Sequence, residues 1–278
     1  MDLPSLVSTD WLHKNLDHPD LVVLDATLAK PKSSITDIKN HDLQISGAQY
    51  FDIDNKFSDK SYDLPHMMCD AGQFQKEAGS LGINNDSLVV VYDQHGVYSS
   101  PRAWWMIKSM GHKNVAVLNG GLPDWIEKQY PTEKKKSTDG VGDFQPKNND
   151  SCFVDANFVL ETIDDENIVV LDARSKGRFD GTEPEPRAGL RGGHIPNSIS
   201  LPFPEVLHGT KMKSKDELQQ ILSPLGLEGK RLVFSCGSGL TACIILFATH
   251  LAGYENLSVY DGSWTEWGQK EELLVVKT

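Results

Sequence analysis

The sequence is poor in cysteine, in positive charge and in long apolar runs. Four cysteines occur in 278 residues and none forms a Cys-x-x-Cys pair, so we expect neither a disulfide framework nor a zinc site. Lys and Arg number 27 against 39 Asp and Glu, and a net charge of −12 argues against nucleic-acid binding. The longest apolar run, around 244–248, is far shorter than the ~18 residues of a membrane span.

The first residues lack the features of a targeting signal. The chain begins Met-Asp-Leu-Pro-Ser, which is neither a basic segment followed by an apolar core nor an Arg-rich transit peptide. We therefore expect a cytoplasmic protein whose thiols stay free in a reducing compartment, with no membrane partner and no nucleic-acid partner.

The most informative feature that is present is an internal repeat. Four segments of the first half recur in the second half in the same order, each about 140 to 150 residues downstream of its counterpart. The pairs are 21–26 with 168–173, 45–51 with 195–201, 88–93 with 231–236, and 115–118 with 257–260. Each copy then closes on a glycine–tryptophan segment, at 119–125 and 261–267. Four collinear matches indicate a duplicated unit.

The repeat and the length together predict two domains. A polar stretch rich in turn formers begins at Pro131 and continues to Asp150. We place an N-terminal domain at 1–135, a linker at 136–150 and a C-terminal domain at 151–278. Continuous Val/Ile/Leu runs alternate with helix-like segments, which is typical of buried parallel strands. The predicted class is α/β, with a mostly parallel sheet and helices on both faces in each domain.

Cys236 is the strongest candidate for chemistry. It directly follows the apolar strand 232–235 and precedes Gly-Ser-Gly at 237–239, where two glycines allow backbone N–H groups to turn inward around an anion. The helix that we expect from about 241 to 251 adds the positive end of its dipole. A lone cysteine at a strand end more often packs as a small apolar side chain, but this loop favours a reactive thiolate.

The loop also decides between families of cysteine enzymes. A Cys-x5-Arg phosphatase needs an arginine where this chain has Ala242, so phosphatase chemistry is excluded. The Cys236 loop instead resembles the active-site loop of the rhodanese superfamily, and the resemblance covers nearly the whole chain as two tandem domains. Leu-Asp-Ala-Arg at 171–174, Gly-His-Ile-Pro at 193–196 and Asp-Gly-Ser-Trp at 261–264 carry it as well.

The resemblance is closer to one branch of that superfamily. Thiosulfate sulfurtransferases typically carry Cys-Arg-Lys-Gly-Val-Thr, whereas mercaptopyruvate sulfurtransferases carry Cys-Gly-Ser-Gly-Val-Thr. With Gly237 and Ser238 the chain is similar to the second branch, and it departs only in Leu240 for valine. The resemblance implies that Cys236 takes sulfur from 3-mercaptopyruvate as a persulfide and releases pyruvate. The sulfur would pass to a thioredoxin-type dithiol, a small thiol or cyanide, with no metal or organic cofactor.

Two arginines are the expected substrate ligands. Arg178 and Arg187 match the pair that holds the carboxylate and carbonyl of mercaptopyruvate in that branch, a task suited to a planar fork. The alternative is that both only pair with acidic neighbours, namely Asp180, Glu183 and Glu185. We expect Arg174 and Arg191 to make structural pairs.

The resemblance implies roles for further residues. The loop residues expected to bind substrate are Gly237, Gly239, Leu240 and Thr241, and Ser238 is expected to stabilise charge in the transition state. Asp54 and His66 match an aspartate and a histidine implicated near that serine, although His66 could equally be an ordinary loop histidine. Asp93 stands where Cys236 stands in the second copy, so the N-terminal domain is predicted to be inactive.

Other thiols and other functions are less favoured. We expect Cys243 to pack in the core, and nothing near Cys69 or Cys152 favours a thiolate. A thiosulfate sulfurtransferase is one alternative, disfavoured by the missing loop cations. A non-enzymatic sulfur carrier or redox partner is the other, disfavoured because a carrier needs no pair of carboxylate-binding arginines.

Overall fold

The apolar runs that recur in the two halves form the central strands of two parallel sheets. The computed structural model describes residues 3–136 and 140–278, and the chain divides into two units. The first unit comprises the chain up to Asp59 with Met68–Asn149 and Gly209–Met212, and the second comprises Lys60–Met67, Asp150–His208 and Lys213–Thr278. Each unit thus includes a short segment from the other half of the chain. The domain boundaries that we place at residues 135 and 150 remain predictions.

The first unit is built on continuous apolar strands. In chain order its elements are β1 (Leu6–Val7), α1 (Thr9–Asn15), β2 (Leu21–Asp25), β3 (Leu43–Ile45), β4 (Gln49–Tyr50), α2 (Ala71–Ser80), β5 (Leu88–Tyr92), α3 (Ser100–Ser109), β6 (Val115–Leu118), α4 (Gly121–Glu127) and β7 (Thr132–Lys134). Five strands form a parallel sheet in the order β1-β6-β5-β2-β4. All of β5 is buried, as expected for a strand covered on both faces.

The second half repeats this arrangement. From Phe153 onward its elements are β8 (Phe153–Val154), α5 (Ala156–Glu161), β9 (Ile168–Asp172), α6 (Lys176–Asp180), β10 (Ile199–Ser200), β11 (Leu207–His208), β12 (Lys211–Met212), α7 (Lys215–Leu222), β13 (Arg231–Ser235), α8 (Ala242–Ala252), β14 (Leu257–Tyr260) and α9 (Ser263–Trp267). The sheet order β8-β14-β13-β9-β10 is that of the first unit, and the pairs are again parallel. The predicted fold class and the duplication are confirmed.

The polar stretch between the copies packs along the first unit wherever it is described. β7, at the start of that stretch, pairs antiparallel with β3. Further on, the side chain of Phe144 is buried, and its N–H donates to the carbonyl of Ile83 at 3.1 Å. Residues 140–149 group with the first unit, so they are not a free tether. Residues 137–139 of the predicted linker lie outside the described part of the chain.

The helices of the described residues are short, at most eleven residues long. Among the residues that the structure describes, no helix is long and apolar enough to cross a membrane. Helix α8, with eleven residues, is nearly all apolar and is buried against the strands of the second sheet. Its N-terminus follows directly on the Cys236 loop, so that loop is joined to a buried helix of the second unit.

Candidate active site

The two sheets place Asp93 and Cys236 at equivalent positions. Tyr92 at the end of β5 pairs with Asp25, and Ser235 at the end of β13 pairs with Asp172 in the same register. Asp93 and Cys236 are the next residues, at the carboxyl ends of their strands, where ligands bind in open α/β sheets. The equivalence expected from the sequence repeat is therefore present in the backbone.

In the first unit the loop after β5 encloses an anion from the chain itself. One oxygen of the buried Asp93 carboxylate accepts from the N–H groups of Tyr98, Ser99 and Ser100 at 2.8, 3.0 and 2.9 Å, and from the Ser100 hydroxyl at 2.7 Å. The other oxygen accepts from the N–H of His95 at 2.9 Å. This loop geometry therefore converges N–H groups on one negative charge.

In the second unit the same place holds the Cys236 thiol. Cys236 is 1% exposed. The Ser263 hydroxyl accepts from the N–H groups of Cys236 and Gly239 at 3.2 and 3.0 Å and donates to the Tyr260 carbonyl at 2.8 Å. Gly239 has a φ of +72°, a conformation that favours glycine. Ser263 thus ties both ends of the loop to the end of β14.

Helix α9 holds the loop from the other side. The carbonyl of Gly237 accepts from the N–H and the hydroxyl of Thr265 at 2.9 and 2.5 Å, and the carbonyl of Cys236 accepts from the N–H of Trp264 at 3.0 Å. These bonds use carbonyl groups of the loop. Several of its N–H groups make no hydrogen bond to the described part of the protein. Within the described residues, the N–H groups of Ser238 and Leu240 donate to no protein acceptor, and the same holds for Gly237 and Thr241.

Two guanidinium groups reach this loop. A Cβ atom placed on Gly237 would lie 3.3 Å from Nη2 of Arg178 and 3.6 Å from Nη1 of Arg187. A side chain at 237 would therefore be in contact with both guanidinium groups, and Arg178 would have to move by a few tenths of an ångström to accept it. The structure therefore brings together the three residues that the sequence analysis ranked first: Cys236, Arg178 and Arg187.

The two arginines differ in their protein partners. Glu185 accepts from Nε and Nη2 of Arg178 at 3.1 and 2.5 Å. Arg187 makes no hydrogen bond and no ion pair within residues 3–136 and 140–278. Pairing with acidic neighbours, the alternative weighed from the sequence, therefore applies to Arg178 and not to Arg187.

Arg174 makes the structural pairs predicted for it, whereas Arg191 donates to backbone carbonyls and makes no ion pair in the described residues. Arg174 is fully buried, binds Asp172, Glu185 and the Gly193 carbonyl, and stacks 4.1 Å from the centre of the Trp264 ring. Burial lowers the pKa of Arg174, but Asp172 and Glu185 outweigh it and hold that pKa above its ordinary value. Arg191 donates only to backbone carbonyls, those of Trp267, Gly268, Lys270 and Leu273.

The remaining candidates are placed as follows. Ser238 is buried in the loop. Asp54 lies in the first unit, just after β4, and His66 belongs to the segment Lys60–Met67 of the second unit with a φ of +63°. No cluster of His, Cys, Asp and Glu among the described residues could hold a metal ion.

The other thiols are buried and free of disulfides. Burial raises the pKa of Cys69 to about 12, so this thiol stays protonated at neutral pH. Cys243 lies in the core of α8 and donates to the Gly239 carbonyl at 3.3 Å. The prediction that Cys243 packs in the core is confirmed.

This fold and this loop define a protein of tandem rhodanese type. The family described as the rhodanese-like domain matches residues 8–128 and again 155–270. The chain belongs to the rhodanese-like family, with one domain in each half.

Its relatives extend over almost the whole chain. Mouse 3-mercaptopyruvate sulfurtransferase is 38% identical over 273 residues, covering 95% of this chain and 91% of the relative. The mitochondrial thiosulfate/3-mercaptopyruvate sulfurtransferase 1 of Arabidopsis thaliana is 37% identical, covering 96% of this chain and 77% of the relative. The crystal structure of the Escherichia coli 3-mercaptopyruvate sulfotransferase superposes with a TM-score of 0.83 at 32% identity, covering 94% and 98% of the two chains.

Three residues that contact the loop or its arginines were not identified as site residues from the sequence. Ser263 and Thr265 lie within the repeated glycine–tryptophan segment, which indicated a duplication but no contact to the loop. Glu185 was weighed only as an incidental partner of the arginines. Its position between two arginines of one Gly/Pro-rich segment is the signal that could have identified it.

Proposed function

We propose that the chain is a 3-mercaptopyruvate sulfurtransferase with one catalytic centre, at Cys236. The observation that carries the proposal is the approach of Arg178 and Arg187 to Gly237, beside a cysteine in an anion-binding loop. Two planar cations at one point fit the adjacent carboxylate and carbonyl oxygens of a 2-oxo acid. The names of the relatives support the same reaction.

The reaction has two half-reactions. The Cys236 thiolate attacks the sulfur of 3-mercaptopyruvate, a new S–S bond forms, and the C–S bond breaks with its electron pair moving onto the pyruvate carbon as an enolate. The enolate takes up a proton and leaves as pyruvate. An acceptor thiolate or cyanide then attacks the outer sulfur of the Cys236 persulfide and returns the Cys236 thiolate.

The loop supplies the charge stabilisation in this scheme. We assign the stabilisation of charge that develops around the sulfur to the N–H groups of Gly237, Ser238, Leu240 and Thr241, which have no acceptor in the described residues, and to the Ser238 hydroxyl. The N–H of Gly239 is held by Ser263, so Gly239 serves by its positive φ. The first-unit loop supports this assignment for two of the residues, because the N–H groups of His95 and Tyr98, which correspond to Ser238 and Thr241, bind the Asp93 carboxylate.

Intact mass measurement tests the function directly. Incubation of the protein with 3-mercaptopyruvate alone should add the mass of one sulfur atom per chain and release one pyruvate. Cys236→Ser should add none and should keep its circular dichroism spectrum, whereas the matched variant Cys69→Ser should still gain one sulfur. Sulfur transfer by Cys236→Ser would move the nucleophile to another thiol and end the proposal.

Thiosulfate is the alternative sulfur donor. The name of the Arabidopsis relative includes both donors, but thiosulfate is a dianion and the Cys236 loop has no lysine or arginine. We expect a higher kcat/KM with 3-mercaptopyruvate than with thiosulfate when both are assayed with the same acceptor. The opposite ranking would make the chain a thiosulfate sulfurtransferase, and no turnover with either donor would favour a sulfur carrier.

Three finer assignments complete the proposal. Asp54 and His66 take part in catalysis, the acceptor is a thioredoxin-type dithiol or a small thiol, and the protein works in the cytoplasm. Four free cysteines fit a reducing compartment, although the Arabidopsis relative is named as mitochondrial. Asp54→Asn and His66→Gln should lower kcat, and cell fractionation with an antibody locates the protein.

A further inference from the structure

We propose that Glu185 is a specificity-determining residue, which reduces the positive charge beside Cys236 to the single charge that a monocarboxylate donor needs. The inference rests on the proposed function, because it explains how the same site selects its donor. Glu185 was not among the residues expected to act, and its role follows from its contacts and from the charges around it.

Glu185 is the only carboxylate in contact with a guanidinium at the loop, within the described residues. Its side chain is 1% exposed. One oxygen accepts from Nη1 of the buried Arg174 at 2.8 Å, and the other accepts from Nε and Nη2 of Arg178. The contact to Arg174 fixes the carboxylate, since Arg174 is itself held by Asp172 and by the stack on Trp264. Glu185 therefore acts on Arg178 from a rigid position.

The charges of this network leave one net positive charge. Three guanidiniums, those of Arg174, Arg178 and Arg187, are set against the carboxylates of Asp172 and Glu185. Because Asp172 offsets Arg174, the charge next to Gly237 is that of Arg178 and Arg187 reduced by Glu185. The Cys236 thiolate meets both donors equally and does not distinguish them. The 3-mercaptopyruvate carboxylate carries one negative charge and thiosulfate carries two, so the single positive charge matches the first donor and leaves the second charge of thiosulfate without a counterpart.

Burial makes this charge count effective. Glu185 has almost no contact with solvent, so salt and water screen its field much less than that of a surface carboxylate. The nearby Glu183 is exposed and accepts only from the Ser175 hydroxyl, at 2.8 Å. Two glutamates on one segment therefore differ in their effect on the loop, and they provide a matched pair for an experiment.

The experiment compares Glu185→Gln with Glu183→Gln. Both variants change the charge of the chain equally, but only the first changes the charge at the loop. We expect Glu185→Gln to raise the ratio of kcat/KM for thiosulfate over 3-mercaptopyruvate by about tenfold, equivalent to ~1.4 kcal/mol. Glu183→Gln should leave the ratio as in the wild type, and Glu185→Asp should restore most of the wild-type ratio.

Binding to an inactive chain gives a second readout. In a Cys236→Ser background, calorimetry with pyruvate and with thiosulfate measures affinity without turnover. Glu185→Gln should tighten the binding of thiosulfate and not that of pyruvate. An equal loss of both affinities and both activities would mean that Glu185 only holds the fold, and an unchanged ratio with intact activity would also overturn the inference.

The outcome for the proposed function is separate. If the wild type does not form a persulfide from 3-mercaptopyruvate, the proposed function fails whatever the Glu185 variants do. If the wild type reacts and the donor ratio does not respond to Glu185→Gln, only the role of Glu185 fails.

Discussion

At the scale of single residues, Arg178 and Arg187 show how two identical side chains on one segment come to differ. Glu185 occupies two of the donor atoms of Arg178 and partly offsets its charge. Arg187 meets the loop with no acidic partner in the described part of the chain. In the proposed site, Arg187 therefore has all its donors available for the substrate carboxylate, and Arg178 contributes mainly through the face turned toward Gly237.

This difference makes Arg187→Lys an informative variant. Lysine keeps the charge but loses the fork, and a charge-assisted contact of this kind contributes roughly 1.5–3 kcal/mol. We expect kcat/KM for 3-mercaptopyruvate to fall about 10- to 150-fold, measured by pyruvate release. Alkylation of Cys236 by a small neutral reagent should keep its rate, because that reaction needs no carboxylate ligand. Equal losses in both rates would assign Arg187 to thiol activation.

At the scale of elements, the central strands could be predicted from the sequence almost to the residue. Buried runs such as β5 and β6 are continuous in apolar residues because both faces of the sheet are covered. The edge strands β1 and β8 have two residues each, too few to show any periodicity. The pairing of β3 with β7 joins segments about 90 residues apart, and no local pattern records such a contact.

The candidate site was predictable to a similar degree. The Cys236 loop is one continuous motif, so its residues could be identified directly. Ser263 and Thr265 reach that loop only because β14 lies next to β13 in the sheet. Glu185 depends on the fold in the same way, since its role requires Arg174 to be buried. Contacts between elements that are distant in the sequence produce no recognisable motif, so they could not be predicted from it.

The two equivalent loops show one element used for two purposes. In the second unit the loop leaves N–H groups free around a thiol, and in the first unit it binds the Asp93 carboxylate with five donors. The first-unit loop therefore has its N–H groups occupied, which is consistent with the prediction that the N-terminal domain is inactive.

Asp93→Asn tests whether this carboxylate stabilises the fold. An amide cannot accept on both sides, so one group of N–H donors in a buried loop would face an NH2 group, at a cost of about 1–3 kcal/mol. We expect the free energy of unfolding in urea to fall by that amount, with persulfide formation at Cys236 retained below the transition. Asp86→Asn, at an exposed turn before β5, is the matched control and should change little. A stability equal to the wild type would show that the loop does not need the carboxylate.

At the scale of the whole molecule, an excess of acidic residues makes stability depend on how individual carboxylates are held. Glu133 accepts from Gln44 and from the N–H of Gly47 and pairs with Lys136. The Lys136 bond, followed by those of Gly47 and Gln44, lowers the pKa of Glu133 to about 2. In the second unit, Glu217 likewise has a pKa of about 2, lowered by Ser214 and His208.

The sign of the resulting pH dependence follows from linkage. A carboxyl group whose pKa is lowered on folding contributes stability above its unfolded pKa, and that contribution is lost as the pH falls through the folded pKa. For Glu133 the loss should occur between about pH 4.5, the ordinary value for glutamate, and about pH 2. Each unit should therefore lose stability in the same acid range, one through Glu133 and the other through Glu217.

Glu133→Gln isolates one of these contributions. Glutamine keeps the acceptor for Gln44 and Gly47 but loses the ion pair with Lys136, so we expect the variant to be less stable by about 1 kcal/mol at pH 7. In urea unfolding measured from pH 7 to pH 2, the difference from wild type should shrink below pH 4.5 and be small at pH 2, because the wild-type carboxylate then becomes protonated in the folded state as well. Glu127→Gln removes an exposed carboxylate that makes no hydrogen bond or ion pair in the described residues. Its free energy of unfolding should equal that of the wild type at every pH. A difference that persists unchanged at pH 2 would mean that the side chain stabilises β3 and β7 through its shape and not through its charge.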